Sequence, residues 1–345
     1  MDLATRYLGL ELRNPVVASA SNLSNTVDGV RRLADAGVGA VVLYSLLEEQ
    51  LRRQADENAE RAQAEAGSER FTESAPRFPE AADEDNEPRR YLNLLERAAA
   101  AVDIPVIASL NGVTPGLWTD YATTLEQAGA AAIELNVYDL PGDELFPGRD
   151  IELRHVEILT TIKAVATIPV AVKMSPYYSS IGEMALRLDQ AGADGLVLFH
   201  RFIQPDIDPD TLTVTVKHSL SSAVEARLPR AWIALLAGRV SASLAATTGV
   251  DGPADVAAYL LAGADVVMTA SALLRYGVEH VGALLDGLSS WMASKGFTSL
   301  ADVRGLLSVP ADTDREAYER ASYVTALRAA NMTSPSDWTI PPIGL

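Results

Sequence analysis

The sequence predicts a closed (β/α)8 TIM barrel, and two recurring strand signatures and their alternation predict it. Four segments open with an Ala-Gly pair that ends a helical stretch and feeds an apolar run: Ala36-Gly37, Ala128-Gly129, Ala191-Gly192 and Ala262-Gly263. Glycine there is a helix-ending signal, because it takes a left-handed backbone without a side-chain clash. Four further apolar runs open with a proline, at Pro15, Pro105, Pro169 and Pro229. Proline at a strand's first residue costs no interior ladder bond. The two kinds alternate along the chain. Helical periodicity is expected between them, near Val27–Asp35, Trp118–Gln127, Leu153–Ala166, Glu183–Gln190 and Pro253–Leu261. Eight strands separated by helices imply a parallel sheet covered on both faces, and eight units favour closure over an open sheet. No Gly-x-Gly-x-x-Gly follows the first strand, which argues against a dinucleotide-binding sheet.

Composition narrows the function classes. The chain has 345 residues, 48% apolar and 21% charged, enough for one large core. Residues 1–309 are expected to form the barrel, and the Asp/Arg/Glu-rich then Pro-rich tail 310–345 to wrap its outside. No stretch reaches the roughly 18 apolar residues that a membrane crossing needs. The N-terminus has neither the basic nor the apolar region of a signal peptide, so a cytoplasmic protein is expected. There are no cysteines, which excludes disulfides, thiolate metal sites, iron–sulfur clusters and a cysteine nucleophile within the chain. The formal charge of −18 argues against general binding of nucleic acid or anionic membranes. An anionic ligand would need a local pocket of donors.

Two insertions follow strands. Residues 46–90, after strand two, are charge-rich and then Pro-punctuated, and are expected to form a lid or a dimer contact; a homodimer is expected. Residues 201–228, after strand six, read as a lid loop leading into a strand of a small side sheet. Long insertions at the C-terminal face of a barrel commonly cover the active site.

Strand ends at that face carry the chemistry in such barrels. Lys173 is the one lysine on any expected strand, and a lysine inside a barrel needs an anion or an electron-rich ring beside it. It reads as a Schiff-base nucleophile, as a cation stabilising developing negative charge, or as the structural partner of Glu134. Glu134 shares a strand face with Asn136. In the loops after the last two strands, Gly249 and the Ala270-Ser271 pair are small enough to present backbone N–H groups to a phosphate.

Val172-Lys173-Met174-Ser175-Pro176, Glu134-Leu135-Asn136, Ala262-Gly263-Ala264 and the stretch from Lys295 to Gly305 together resemble the dihydroorotate dehydrogenase family. The resemblance runs from Leu8 to about Leu307. It implies an FMN-dependent barrel, of the soluble branch, that oxidises a CH–CH bond by hydride transfer to flavin in pyrimidine biosynthesis. By the same resemblance, Ala18, Ser19 and Ala20 lie along the flavin ring with Ser45 nearby. Asn111 and Asn136 hydrogen-bond the ring or the substrate, Lys173 sits at the flavin edge where charge develops, and Gly249, Ala270 and Ser271 hold the phosphate.

The sequence departs from the family pattern where the substrate is gripped. The family's catalytic base aligns with Asp139, a second pyrimidine-binding asparagine is Pro141, a third is His200, and the lysine after strand two is Tyr44. Candidate bases are Asp139, Tyr138 and His200, with His200 also a contact to an anionic substrate. The expected activity is oxidation of dihydroorotate or a related small anionic molecule, with electrons passing to a soluble acceptor or a separate redox partner. The alternatives are an aldolase-type barrel using Lys173 and a flavin-binding protein without dihydroorotate activity.

Overall fold

Eight parallel strands close into a barrel in the computed structural model, which describes residues 1–56, 87–114, 118–139, 142–202, 205–216 and 219–332. A hairpin of β1 (Thr5–Tyr7) and β2 (Leu10–Leu12) comes first. The first six barrel strands are β3 (Val16–Ala18), β4 (Ala40–Leu47), β5 (Val106–Asn111), β6 (Ala132–Asn136), β7 (Val170–Met174) and β8 (Gly195–Leu198). A separate antiparallel hairpin, β9 (Pro205–Asp208) and β10 (Thr213–Val216), occupies the 201–228 insertion. Strands β11 (Ser243–Ala246) and β12 (Val266–Thr269) complete the barrel, and β12 pairs back to β3.

Helices connect the strands on the outside. They are α1 (Val27–Ala36), α2 over 48–56, α3 (Glu87–Ala99), α4 (Trp118–Gln127), α5 (Gly148–Lys163), α6 (Ile181–Gln190), α7 (Arg227–Leu236), α8 (Pro253–Ala262), α9 (Ser271–Tyr276) and α10 (His280–Lys295). Residues Met1–Ser308 form one compact unit, and Val309–Leu345 form a second that contains α11 (Arg315–Met332). The expected course of the tail includes 333–345, which lie outside the described residues. No described helix is long and apolar enough to cross a membrane.

Alternate strand residues face the barrel axis, as the two-residue period of a strand requires. The lower interior layer is small: Ala40, Ala132, Ala171 and Ala245 pack with Val17, Val42, Ile107, Val197, Val266 and Met268. That leaves room for Tyr7, Leu8 and Leu12 of the first hairpin, which plug the floor. Leu8 and Gly9 both have positive φ, 54° and 76°, as expected of the two-residue turn whose twist matches its strands. Leu8 also explains Gly195, because a Cβ there would lie 2.5 Å from Leu8 Cδ2. Nothing in the sequence patterning announced this hairpin. Above the apolar layer the same inward positions turn polar, with Ser109, Glu134 and Lys173 buried.

The seventh strand differs from the sequence expectation. The run after Pro229 is the helix α7, whose buried residues include Pro229, Ile233 and Leu236 at helical spacing. A short apolar run cannot by itself distinguish a strand from a buried helical face. The strand is instead Ser243–Ala246, and it gains its order from pairing with β8 and β12. The residues that follow the strand are therefore Thr247-Thr248.

A second difference lies in β4. Its register against β5 shifts between Val42 and Ser45, so one extra residue reverses the side-chain alternation. Tyr44 turns outward onto Tyr91 of α3, ring centroids 5.1 Å apart. Ser45 meets Ser109, their hydroxyls 2.8 Å apart. The expected lid or dimer contact in 46–90 falls largely on 57–86, outside the described residues.

Candidate active site

Strands β6 and β7 set the centre of the site. Asn136 pairs with Lys173 in register, which places the two side chains side by side at the C-terminal mouth. Glu134, two residues earlier on the same face, receives the ammonium: Lys173 Nζ lies 3.2 Å from Glu134 Oε1. Glu134 is 1% exposed and Lys173 is 8% exposed. Each charge would be strongly unfavourable alone at that depth. The pair leaves valence unused on both sides, since Glu134 Oε2 has no partner and an ammonium carries three donors.

A cavity of about 270 Å³ opens directly on this pair. It is lined by Ser19, Ala20, Asn111, Asn136, Tyr138, Lys173, His200, Gly249, Ala270 and Ser271, so ten of the expected site residues converge there. Three expected residues lie elsewhere. Ala18 is buried in the barrel wall. Ser45 is engaged by Ser109 beneath the floor of the site. Asp139 is tied to Arg154, with Asp139 Oδ2 3.1 Å from Arg154 Nη1. Pro141 lies outside the described residues. A larger cavity, about 570 Å³, lies between α1 and α3 and carries none of these residues.

His200 follows β8 and is 5% exposed, with neither ring nitrogen hydrogen-bonded. Burial, with Lys173 and then His155 as neighbouring charges, pulls its pKa down from the ordinary 6.5 to about 3. His200 is therefore a neutral imidazole at physiological pH and offers no cation to an anionic ligand. Behind it His155 is also held below the ordinary range, chiefly by burial. Rings gather around His200: Tyr138 at 5.5 Å and Phe202 at 4.5 Å between centroids, with Tyr177 5.1 Å from Phe202.

The loops after the last two strands meet across the cavity. Thr248 and Gly249 both have positive φ, 77° and 72°. A β-branched residue in that region is strained by about 1–3 kcal/mol, and such strain clusters at functional sites. Tyr259 anchors the turn by donating to the Thr248 carbonyl at 2.7 Å. Glycine at 249 is demanded by packing as well, since a Cβ would lie 2.6 Å from Ala226 N and 2.8 Å from Ser222 O. Ser221 ties the two loops together: its N–H donates to Ser271 Oγ at 3.0 Å, and Gly249 N–H donates to Ser221 Oγ at 3.3 Å.

Ser221, Thr247, Thr248 and Phe199 also line the cavity and were not among the expected site residues. Thr247 and Thr248 were hidden by the misplaced seventh strand. Ser221 lies in a loop without periodic signal. The donor set suits a flavin mononucleotide: a cation and amides at the barrel centre, small residues Ser19 and Ala20 on one wall, and two small-residue loops at the far end. The unpartnered Asn136 Oδ1 is a buried acceptor that a ring N–H would satisfy. No group of three or more metal-ligating side chains occurs among the described residues.

No family model matches the chain. Individual relatives do. The chain is 30% identical over 227 residues to a protein of Aeropyrum pernix assigned as a dihydroorotate dehydrogenase A (fumarate), covering 63% of this chain and 72% of that one. It is 27% identical over 351 residues to the NAD-dependent dihydropyrimidine dehydrogenase subunit PreA of Escherichia coli K12, covering 91% of this chain and 80% of that one. It is 27% identical over 316 residues to the catalytic subunit of a dihydroorotate dehydrogenase B (NAD(+)) of Methanothermobacter thermautotrophicus, covering 88% and 98%.

Proposed function

The chain belongs to the dihydroorotate dehydrogenase family, and from that premise we propose that it is an FMN-dependent oxidoreductase acting on a CH–CH bond of a small planar substrate. The observation that carries the reading is the convergence of Lys173, Asn136 and the two last strand-end loops on one cavity. When bound, FMN supplies the hydride-accepting ring. Lys173 and Asn136 would hold its polar edge, and Gly249, Ala270 and Ser271 its phosphate.

The chain's own residues divide the remaining work. Lys173 provides a fixed positive charge in a water-poor site, where a preorganised charge stabilises developing negative charge most strongly. Tyr138, which lines the cavity, is the proposed proton acceptor, a role it fills as its phenolate. His200 is a weak base with its pKa near 3, since a base works best with a pKa near the operating pH; it serves as a neutral hydrogen-bonding group. Asp139 is occupied by Arg154 and orders the loop after β6. Glu134 beside Lys173 favours a charge-stabilising role for the lysine over a Schiff-base one.

Relatives named as subunits support a separate redox partner as the electron acceptor. A homodimer and a cytoplasmic location complete the proposal. The purified protein should be yellow with a flavin spectrum. Lys173→Ala should slow anaerobic reduction of that flavin by about 10²-fold or more while weakening substrate binding far less. A colourless protein that acquires no flavin absorbance on incubation with FMN would overturn the reading.

A further inference from the structure

A second cavity, about 400 Å³, adjoins the first and shares with it the wall formed by Phe199, His200, Arg201 and Thr248. Its character is different. Tyr177, Phe199, Phe202, Val224 and Leu228 line it, and the rings of Tyr177 and Phe202 lie 5.1 Å apart at 46°. Two successive strand ends contribute rings to it, Tyr177 after β7 and Phe202 after β8, and Tyr138 after β6 packs on Phe202 at 4.7 Å between centroids, so the cavity belongs to the mouth of the barrel. Tyr177 nevertheless is 60% exposed, and Val224 and Leu228 are exposed as well. Large apolar side chains exposed together around a concavity mark a binding surface.

Two of the nearby cations are already engaged. Arg201 donates from Nε to Glu225 Oε1 at 2.7 Å and from Nη2 to Ser219 Oγ at 3.2 Å. Lys173 is held by Glu134. Arg227 is exposed at the solvent side of the cavity. The one deeply buried polar group on the shared wall is His200, neutral and without a hydrogen-bond partner at either nitrogen. A buried group of that kind is satisfied by a ligand that can both fill apolar space and make a single neutral hydrogen bond.

We propose that this aromatic cavity is a substrate subsite for an uncharged planar ring, stacked against Tyr177 and Phe202 and hydrogen-bonded by His200. The inference rests on the proposed oxidoreductase reading and gives its substrate class: a neutral ring compound with an apolar face, not a carboxylate-bearing dihydropyrimidine. Offset and tilted aromatic contacts favour such a ring. A carboxylate placed against His200 would lose water where Arg201 and Lys173 are already engaged, while Arg227 stands at the exposed side.

The test is calorimetric titration of the full chain with two probes of similar size, indole as the neutral ring and orotate as the anionic one. It is run on protein as purified and again after saturation with FMN. Indole should bind at least about tenfold more tightly than orotate, a difference of about 1.4 kcal/mol. Phe202→Ala and Tyr177→Ala should each weaken indole about tenfold or more and leave FMN affinity unchanged. His200→Phe should retain indole stacking but lose discrimination in favour of indole over benzene, the probe without a donor. Tighter binding of orotate, or indole binding indifferent to both aromatic deletions, would overturn the proposal. Because ring binding is read by heat and not by turnover, it can fail while the protein still takes up FMN. Conversely, it can hold in a protein that takes up none.

Discussion

Lys173 Nζ and Glu134 Oε1, 3.2 Å apart, form a buried ion pair at the centre of the barrel mouth, flanked by Asn136, which pairs with Lys173 in register. Breaking a buried pair by deleting one partner leaves an uncompensated charge and costs about 3–5 kcal/mol, whereas replacing both partners can be nearly neutral. Lys173→Met should therefore destabilise the protein by about that amount. The double variant Lys173→Met/Glu134→Gln should recover most of the loss. Urea denaturation of wild type, both single variants and the double variant checks this, and additive losses would show that the pair is not coupled.

His200 gives a pH dependence whose sign can be worked out. Its folded pKa is near 3, below the ordinary 6.5, because burial and Lys173 disfavour the imidazolium. Below pH 6.5 the unfolded chain binds a proton at this position that the native chain refuses. The stability associated with a neutral His200 is thus fully present above about pH 6.5 and is lost as pH falls toward about 3, at up to about 1.4 kcal/mol per pH unit. Relative to wild type, His200→Gln should become progressively more favourable over that window and show a flat difference above it. Chemical denaturation at half-unit pH steps measures it.

The parts of this molecule that were legible in the sequence are those where local pattern and tertiary placement agree. The Ala-Gly pairs mark helix ends with left-handed glycines at Gly37 and Gly263, and the inward face of β6 could be read from Glu134 and Asn136 because a strand's period is two. Two failures have a common cause. Trp232 to Ala237 and Ser243 to Ala246 are both short and apolar, and which becomes the strand is decided by partners far away in the chain, β8 and β12. The bulge in β4 is likewise invisible to periodicity, yet it decides that Ser45 and not Tyr44 faces inward. The neutral state of His200 follows from its burial in the assembled barrel and from Lys173 arriving on a neighbouring strand, neither of which local spacing reveals.

The phosphate assignment predicts a charge effect at Ser271. This hydroxyl receives the Ser221 N–H at 3.0 Å and lines the cavity beside Gly249. Aspartate can accept the same hydrogen bond, so Ser271→Asp should fold, but its negative charge would repel a phosphate in a site that depends on local donors. Flavin retained after gel filtration, read as the ratio of flavin to protein absorbance, should fall several-fold in Ser271→Asp and stay near wild type in Ser271→Ala. Equal retention in both would place the phosphate elsewhere. Gly249 is a poorer test, because any side chain there collides with the backbone of Ser222 and Ala226 and would disturb the loop irrespective of ligand.

The last prediction concerns dihydroorotate itself. A site built to hydrogen-bond its substrate rejects analogues strongly, because each lost partner leaves a buried polar group unpaired. The same physics works in reverse when the protein side changes. Resemblance to the family puts Asp139, Pro141 and His200 where its members grip a pyrimidine. In this chain Asp139 is held by Arg154, and His200 is neutral. Around His200 the walls are aromatic rings. Among the expected asparagines, Asn111 and Asn136 line the cavity, too few to satisfy both amides and the carboxylate of dihydroorotate. Anaerobic stopped-flow mixing with dihydroorotate should thus reduce the bound flavin slowly and without saturation at micromolar substrate. Asp139→Asn should change that rate by less than about threefold, whereas Tyr138→Phe should lower the rate with the true substrate by about 10²-fold or more, as loss of a general base does. Fast, saturable reduction at micromolar dihydroorotate would show that the rebuilt loop still grips the pyrimidine, and a large loss in Asp139→Asn would return the base to Asp139.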